Sequence, residues 1–309
     1  MPRLSREVAL THVDVGTFSP PVVLEVARGL GRLEAAGLTV TEHPATSSPG
    51  QFRELADGSL QVALTSPDNV LAYRFNPRNP LGTLLDARIV GALDRALGLG
   101  LYARAGLTAA DLRGARVGVD VPQSGFALAL YALAEQLGVP ASDYELVALG
   151  STPRRLEALL AGDCDATMLN AGNELVAEAA GCTLLAAAGE RLAPYLGTVV
   201  AVVGDEHLET ARRLADVLTG VADEVLAGGL DDVVTDAARS RLGLDGDQAR
   251  RHLARLRSPT EGLVAGGRVE RAALATLVGL RRTYLPVVVD GRDAVDAALE
   301  EGSGLVDAR

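Results

Sequence analysis

Apolar positions along the chain recur at two periods, and the alternation between the periods outlines a fold. From Pro21 onward, Val22, Val23, Val26, Leu30 and Leu33 have the spacing of one buried helix face, which Gly37 ends. Residues 7–13 (EVALTHV) suit a first strand, LTVTEH (38–43) a second, QFRELADG (51–58) a short helix and LQVALTS (60–66) a third strand. Strand, helix and strand joined by short connections predict a parallel sheet. ARIVGAL from Ala87 and LGLGLYA after it read as two successive strands. A second series follows: strands at 114–120, 144–149, 164–169, 182–188 and 196–204, with helices at 124–138, 152–162 and 170–181. Beyond Asp205 the pattern is helical only, through 231–242, 245–256 and 268–283.

The two series share a plan. LADGSLQVALTS (55–66) and LLAGDCDATMLN (159–170) superpose without gaps at an offset of 104 residues. In each, a helix ends at a glycine, Gly58 or Gly162, where a left-handed cap costs least. A buried strand follows and ends in a small polar residue, Ser66 or Asn170. Open α/β sheets bind ligands beyond the carboxyl ends of their strands, so two facing lobes of this kind would set Ser66 and Asn170 across one cleft.

Composition narrows the chemistry. The 309 residues are 48% hydrophobic, and 29 basic against 40 acidic side chains give a formal net charge of −11. No nucleic-acid or anionic-membrane partner is expected of so acidic a chain. Every basic residue is Arg, and the absence of Lys excludes Schiff-base chemistry, pyridoxal-phosphate anchoring and the P-loop together. No 18-residue apolar run spans a membrane, and the N-terminus lacks the apolar core of a secretory signal. The expected location is cytoplasmic as the sequence stands, and extracytoplasmic if a leader has been trimmed. Cys164 and Cys182 read as reduced core thiols, to be bridged only if their strands are adjacent. His12, His43, His207 and His252 are scattered, so no metal is expected, and no cofactor.

TSPDN (65–69), DLRGARVGVDVPQSG (111–125) and LGSTPRRLEALLAGDCDATMLNAGNE (149–174) resemble type II periplasmic binding proteins, in particular the NMT1/THI5 and SsuA-like solute-binding proteins. The resemblance runs from about residue 7 to about residue 230. It implies a two-lobed α/β fold with a ligand cleft between the lobes. Lobe I would comprise residues 1–97 plus 196–309 with the C-terminal helices, and lobe II residues 98–195. It also implies a small polar ligand and, if the protein is exported, an ABC permease as partner. The Thi5-like synthases of this fold use a lysine and a cysteine-rich motif, and this chain has neither.

Several residues could meet such a ligand. Gln123, Ser124, Gly125 and Phe126 form a strand-to-helix turn whose free N–H groups suit an oxyanion or carbonyl, while Ser124 can also cap its helix. Thr65, Ser66, Asp68 and Asn69 form the matching turn of the first lobe, with Pro67 at the first helical position. His12 and Asp14 share one strand face, the spacing of a general base with its orienting partner; Thr17 and Phe18 lie in the loop beyond. Phe18, Phe126 and Tyr195 would give flat walls for a planar or apolar ligand. Asp94 and Arg95 are expected to bridge at the crossover, and Arg154 and Arg155 to be solvated. A solute-binding protein for a small polar, carboxylated or aromatic molecule is the first reading. The second is a cytosolic enzyme without cofactor, a lyase, decarboxylase or dehydratase working through His12 and Asp14.

Overall fold

The computed structural model describes residues 10–307. Two five-stranded sheets organise it, and neither crosses into the other. The first sheet holds β1 (Thr11–Thr17), β2 (Leu38–Pro44), β3 (Val62–Thr65), β4 (Ala87–Asp94) and β10 (Thr198–Val203) in the order β2-β1-β3-β10-β4. The second holds β5 (Gly100–Ala103), β6 (Arg116–Val119), β7 (Glu145–Ala148), β8 (Ala166–Leu169) and β9 (Thr183–Ala187) in the order β7-β6-β8-β5-β9. Read side by side, the two orders match position for position. In each sheet three strands pair in parallel and the fourth lies antiparallel to its neighbours. The sheets are therefore mixed, not purely parallel: the chain leaves one lobe and enters the other through an antiparallel strand.

The first strand differs from the reading at 7–13. Residues 7–9 lie outside the described residues, and β1 runs on to Thr17 because Val13 and Val15 alternate inward as part of the core. The first helix is split into α1 (Val22–Gly29) and α2 (Arg32–Ala35) at Gly31, whose φ of +67° breaks the helix. Helices α3 (Ser48–Asp57) and α4 (Pro67–Phe75) belong to the first lobe. Those of the second are α5 (Gly125–Gln136), α6 (Thr152–Ala161), α7 (Asn173–Ala179) and α8 (Ala188–Arg191). Gly58 and Gly162 cap α3 and α6 with the same φ of +81°, the left-handed cap that the repeat called for.

The C-terminal part adds α9 (Leu208–Leu226), α10 (Asp231–Leu242), α11 (Gly246–Leu256) and α12 (Arg271–Tyr284). Its last stretch is not helical throughout, since a small hairpin pairs β11 (Val288–Val289) with β12 (Arg292–Asp293). α9 packs on β4 and β10, whereas α12 lies against both α4 and α5 and so touches both lobes. Two arginines reinforce that bridging. Arg281 of α12 donates from Nε to Asp68 Oδ1 at 2.9 Å and from Nη2 to the Gln123 carbonyl at 3.0 Å. Arg255 of α11 holds Glu174 and Glu178 of α7.

Cys164 and Cys182 are both free. No helix among the described residues is long and apolar enough to cross a membrane.

Candidate functional site

The cavity between the lobes is built by strand ends that turn directly into helices. β3 ends at Thr65, and Ser66 caps α4 by accepting the Asp68 N–H at 3.3 Å. β6 ends at Val119, and after a short loop Ser124 caps α5 by accepting the Ala127 N–H at 3.3 Å. Both capping oxygens act as acceptors, so each hydroxyl proton is left for another partner. Asn170 follows β8, and its Oδ1 accepts the Thr152 hydroxyl at 3.3 Å, which leaves the amide NH2 to donate. Phe18, Thr65, Ser66, Asn69, Ser124, Gly125, Phe126 and Asn170 all line the cavity. Its aliphatic walls come from the first lobe, the crossover and the C-terminal part: Val22, Val23, Leu93, Leu97, Leu256 and Leu263. The empty space is about 900 Å³ with the solvent at the mouth included, an upper bound that admits one small molecule.

Six of the residues singled out in the sequence fall elsewhere. His12 stands at the start of β1 and is exposed, bonded to Thr39. Five residues of extended chain, about 16 Å, separate it from the strand's carboxyl end at Thr17. Asp14 is likewise absent from the cavity lining; the β1–β2 pairing brings His43 Nε2 to 2.6 Å from its carboxylate, and this contact, with that of His12, holds its pKa below the usual range. The His12–Asp14 pair is thus a surface feature of the strand's other end, because β1 extends four residues beyond the segment read as a strand. Thr17 is buried and spends its hydroxyl on Glu42 at 3.0 Å. Asp68 faces Arg281, behind the turn. Gln123 lies in a second cavity, beside Tyr73 and Arg281. Tyr195 is buried, its hydroxyl without a partner.

The structure adds Asp94, Asp120, Thr152, Arg155 and His252 to the lining. Asp94 and Arg95 do not bridge one another: Arg95 turns to Glu270 and the Leu263 carbonyl, and Asp94 is buried. Burial raises the Asp94 carboxyl to about 7, against hydrogen bonds from Thr198 that lower it. Arg155, unlike the exposed Arg154, is only 1% accessible. Its guanidinium donates to the carbonyls of Gly150 and Met168 and to the Thr152 hydroxyl, and burial pulls its pKa down to about 10. Asp120 is the acid whose charge Arg155 feels; its Oδ2 accepts the Ser48 N–H across the cleft at 3.4 Å, and burial raises its pKa. Burial also pushes His252 down to about 4, so the ring is neutral at pH 7. Both helical residues were within reach of periodicity. Arg155 continues the buried stripe Thr152–Arg155–Leu159 of α6, and His252 the stripe Ala249–His252–Leu253–Leu256 of α11.

Asp94 gives a pH signature. Its proton is held more tightly in the folded chain (about 7) than in the unfolded one, where a carboxyl titrates near ~4. The resulting stabilisation is complete below the unfolded value and is lost as pH rises through about 7. Melting temperatures of wild type and Asp94→Asn, measured between pH 4 and 8, are expected to show the wild type losing ground to the variant as pH rises. Parallel profiles would contradict the assignment.

Two sheets of matching order, joined by two crossovers and closed over a cavity at their strand ends, define the type II periplasmic-binding-protein fold. Solved structures bear this out. The chain superposes on the alkanesulfonate-binding protein SsuA from Xanthomonas axonopodis pv. citri bound to MOPS, with a TM-score of 0.69 and 18% identity over 93% of this chain and 97% of that one. A Candida albicans protein with the generic periplasmic-binding-protein fold gives 0.68 and 14% identity, covering 96% of each chain. The desulfurization enzyme DSZB gives 0.59 and 17%, covering 88% of this chain and 92% of that one. At such identities the likeness is one of fold. No family model and no curated protein matches the sequence.

Proposed function

We propose that the protein is a solute-binding protein of an ABC-type import system, taking a small molecule with a carboxylate or sulfonate head and an apolar or planar body. One observation carries the reading. Across a single cavity, the Ser66 and Ser124 turns face each other at the amino ends of α4 and α5, with the Asn170 amide and the buried Arg155 guanidinium in the same wall. Hydroxyls, free helix N–H groups and a buried cation suit an oxyanion. Phe18 and Phe126 supply flat apolar surface. The fold neighbour SsuA is an alkanesulfonate-binding protein, which supports an oxyanion head without fixing it here.

A thermal-shift screen of small carboxylates, sulfonates and aromatic acids tests the reading, since a ligand of the folded state raises the melting temperature. With any hit, Ser124→Leu is expected to weaken binding by about tenfold or more, the equivalent of ~1.4 kcal/mol. Arg154→Ala, on the exposed side of α6, is expected to leave affinity unchanged. Equal effects of the two substitutions would place the ligand elsewhere.

Catalysis remains the second reading, favoured by one observation: neutral His252 lines the cavity with neither ring nitrogen hydrogen-bonded. An enzyme, DSZB, shares the fold. Incubating a hit with stoichiometric protein and analysing it by mass spectrometry separates the readings, because a binding protein returns the ligand intact.

A further inference from the structure

The polar groups of the cavity divide into donors and acceptors, and buried acceptor atoms are left without a partner. On the donor side stand the Ser66 and Ser124 hydroxyls, the first N–H groups of α5, the Asn170 amide and Arg155, which satisfy an oxyanion head. On the other side stand three buried groups with unpaired atoms: Asp94 Oδ1, Asp120 Oδ1 and the ring nitrogens of His252, of which the neutral imidazole offers one as an acceptor and keeps its proton on the other. They are 4%, 6% and 1% accessible, so bulk water does not serve them. A buried acceptor without a partner costs about 1–3 kcal/mol, which a ligand donor would relieve.

Charge points the same way. The cavity holds one cation, Arg155, against two carboxyls, Asp94 and Asp120. Arg155 and Asp120 act on each other electrostatically, and each is shifted by the other's charge. That leaves Asp94, which no arginine or histidine offsets; Thr198 supplies its hydrogen bonds, and the other ionisable group acting nearby is the Tyr195 phenol. Arg255, close to His252, is already committed to Glu174 and Glu178. A ligand that brought only an anionic head would leave the buried Asp94 Oδ1 without a donor. A zwitterion adds no net charge and meets both sides.

We propose that the ligand is an apolar amino acid or a close analogue, its oxyanion at the Ser124 turn and its ammonium among Asp94, Asp120 and His252. The inference rests on the proposed binding role and deepens it by naming the second polar group. Val22, Val23, Leu93, Leu256 and Leu263 take the side chain. Burial raises the Asp94 carboxyl to about 7, and an ammonium beside it would favour its ionised form.

The test compares ligands that share a skeleton and differ by one group, titrated calorimetrically into the full chain. One set is phenylalanine, 3-phenylpropionate and 2-phenylethylamine; the other is leucine, 4-methylpentanoate and 3-methylbutylamine. In at least one set the amino acid is expected to bind about tenfold or more tighter than the acid lacking nitrogen, since a charged hydrogen bond contributes ~1.5–3 kcal/mol. Asp94→Asn should remove that preference. An acid that binds as tightly as its amino acid overturns this inference and leaves the oxyanion reading standing. An amine that binds as tightly as the amino acid supports the acceptor cluster and removes the oxyanion head instead. Failure of every member of both sets overturns the two together.

Discussion

Arg281→Met is expected to cost the fold about 3–5 kcal/mol, seen as a lowered urea midpoint at unchanged slope. The guanidinium is 2% accessible and donates to both Asp68 and the Gln123 carbonyl, so its removal strands a buried carboxylate and a carbonyl at once. Replacing both members, Asp68→Leu with Arg281→Met, is expected to recover most of the loss, because a pair of apolar groups leaves no charge to desolvate. A double variant no more stable than the single one would mean that Arg281 matters through its packing on α4 and α5. Placement explains the size of the effect. Arg281 sits beneath the two ligand-facing turns, joining the first residues of α4 to the loop before α5.

Gly125→Val is expected to abolish high-affinity binding with little loss of helix. A Cβ at residue 125 would lie 2.7 Å from Ser66 Oγ and 2.8 Å from Asp68 Cβ, both in the opposite lobe. Neither can retreat, since Ser66 caps α4 and Asp68 is held by Arg281. The lobes must therefore separate at this point, and overpacking of ~1–3 kcal/mol converts to a loss of about tenfold to hundredfold in affinity. Calorimetric titration with a hit from the ligand screen measures it. Wild-type affinity in this variant would show that the turns need not approach for binding.

Much of this architecture was legible in the chain because it is repeated. The Gly58 and Gly162 caps, the strands after them and the polar ends Ser66 and Asn170 occupy equivalent places in the two sheets, as the 104-residue offset required. The Ser66 and Ser124 turns were legible too, since a serine that caps a helix at or shortly after the end of a buried strand has a local signature. What escaped had long-range causes. Arg155 lies on the buried stripe of α6, yet an arginine within such a stripe reads as solvated until its cover is known, and Asp94 read as a partner of Arg95 because what buries it comes from distant parts of the chain. His252 enters the cavity from α11, 82 residues after Asn170; its stripe marks it as buried, but no local spacing assigns it to this cavity. His12 was misplaced for the opposite reason. Because β1 ends four residues later than read, His12 stands at the amino end of the strand and not at its cavity end.

The most direct test is a crystal structure of the protein with the ligand that gives the largest thermal shift. The account predicts electron density for that ligand enclosed between the two lobes, its head at the Ser124 turn within hydrogen-bond distance of the α5 N–H groups and the Asn170 amide, and its body between Phe18 and Phe126. Density in the second cavity beside Tyr73 and Arg281, or on the outer surface of one lobe, would contradict it.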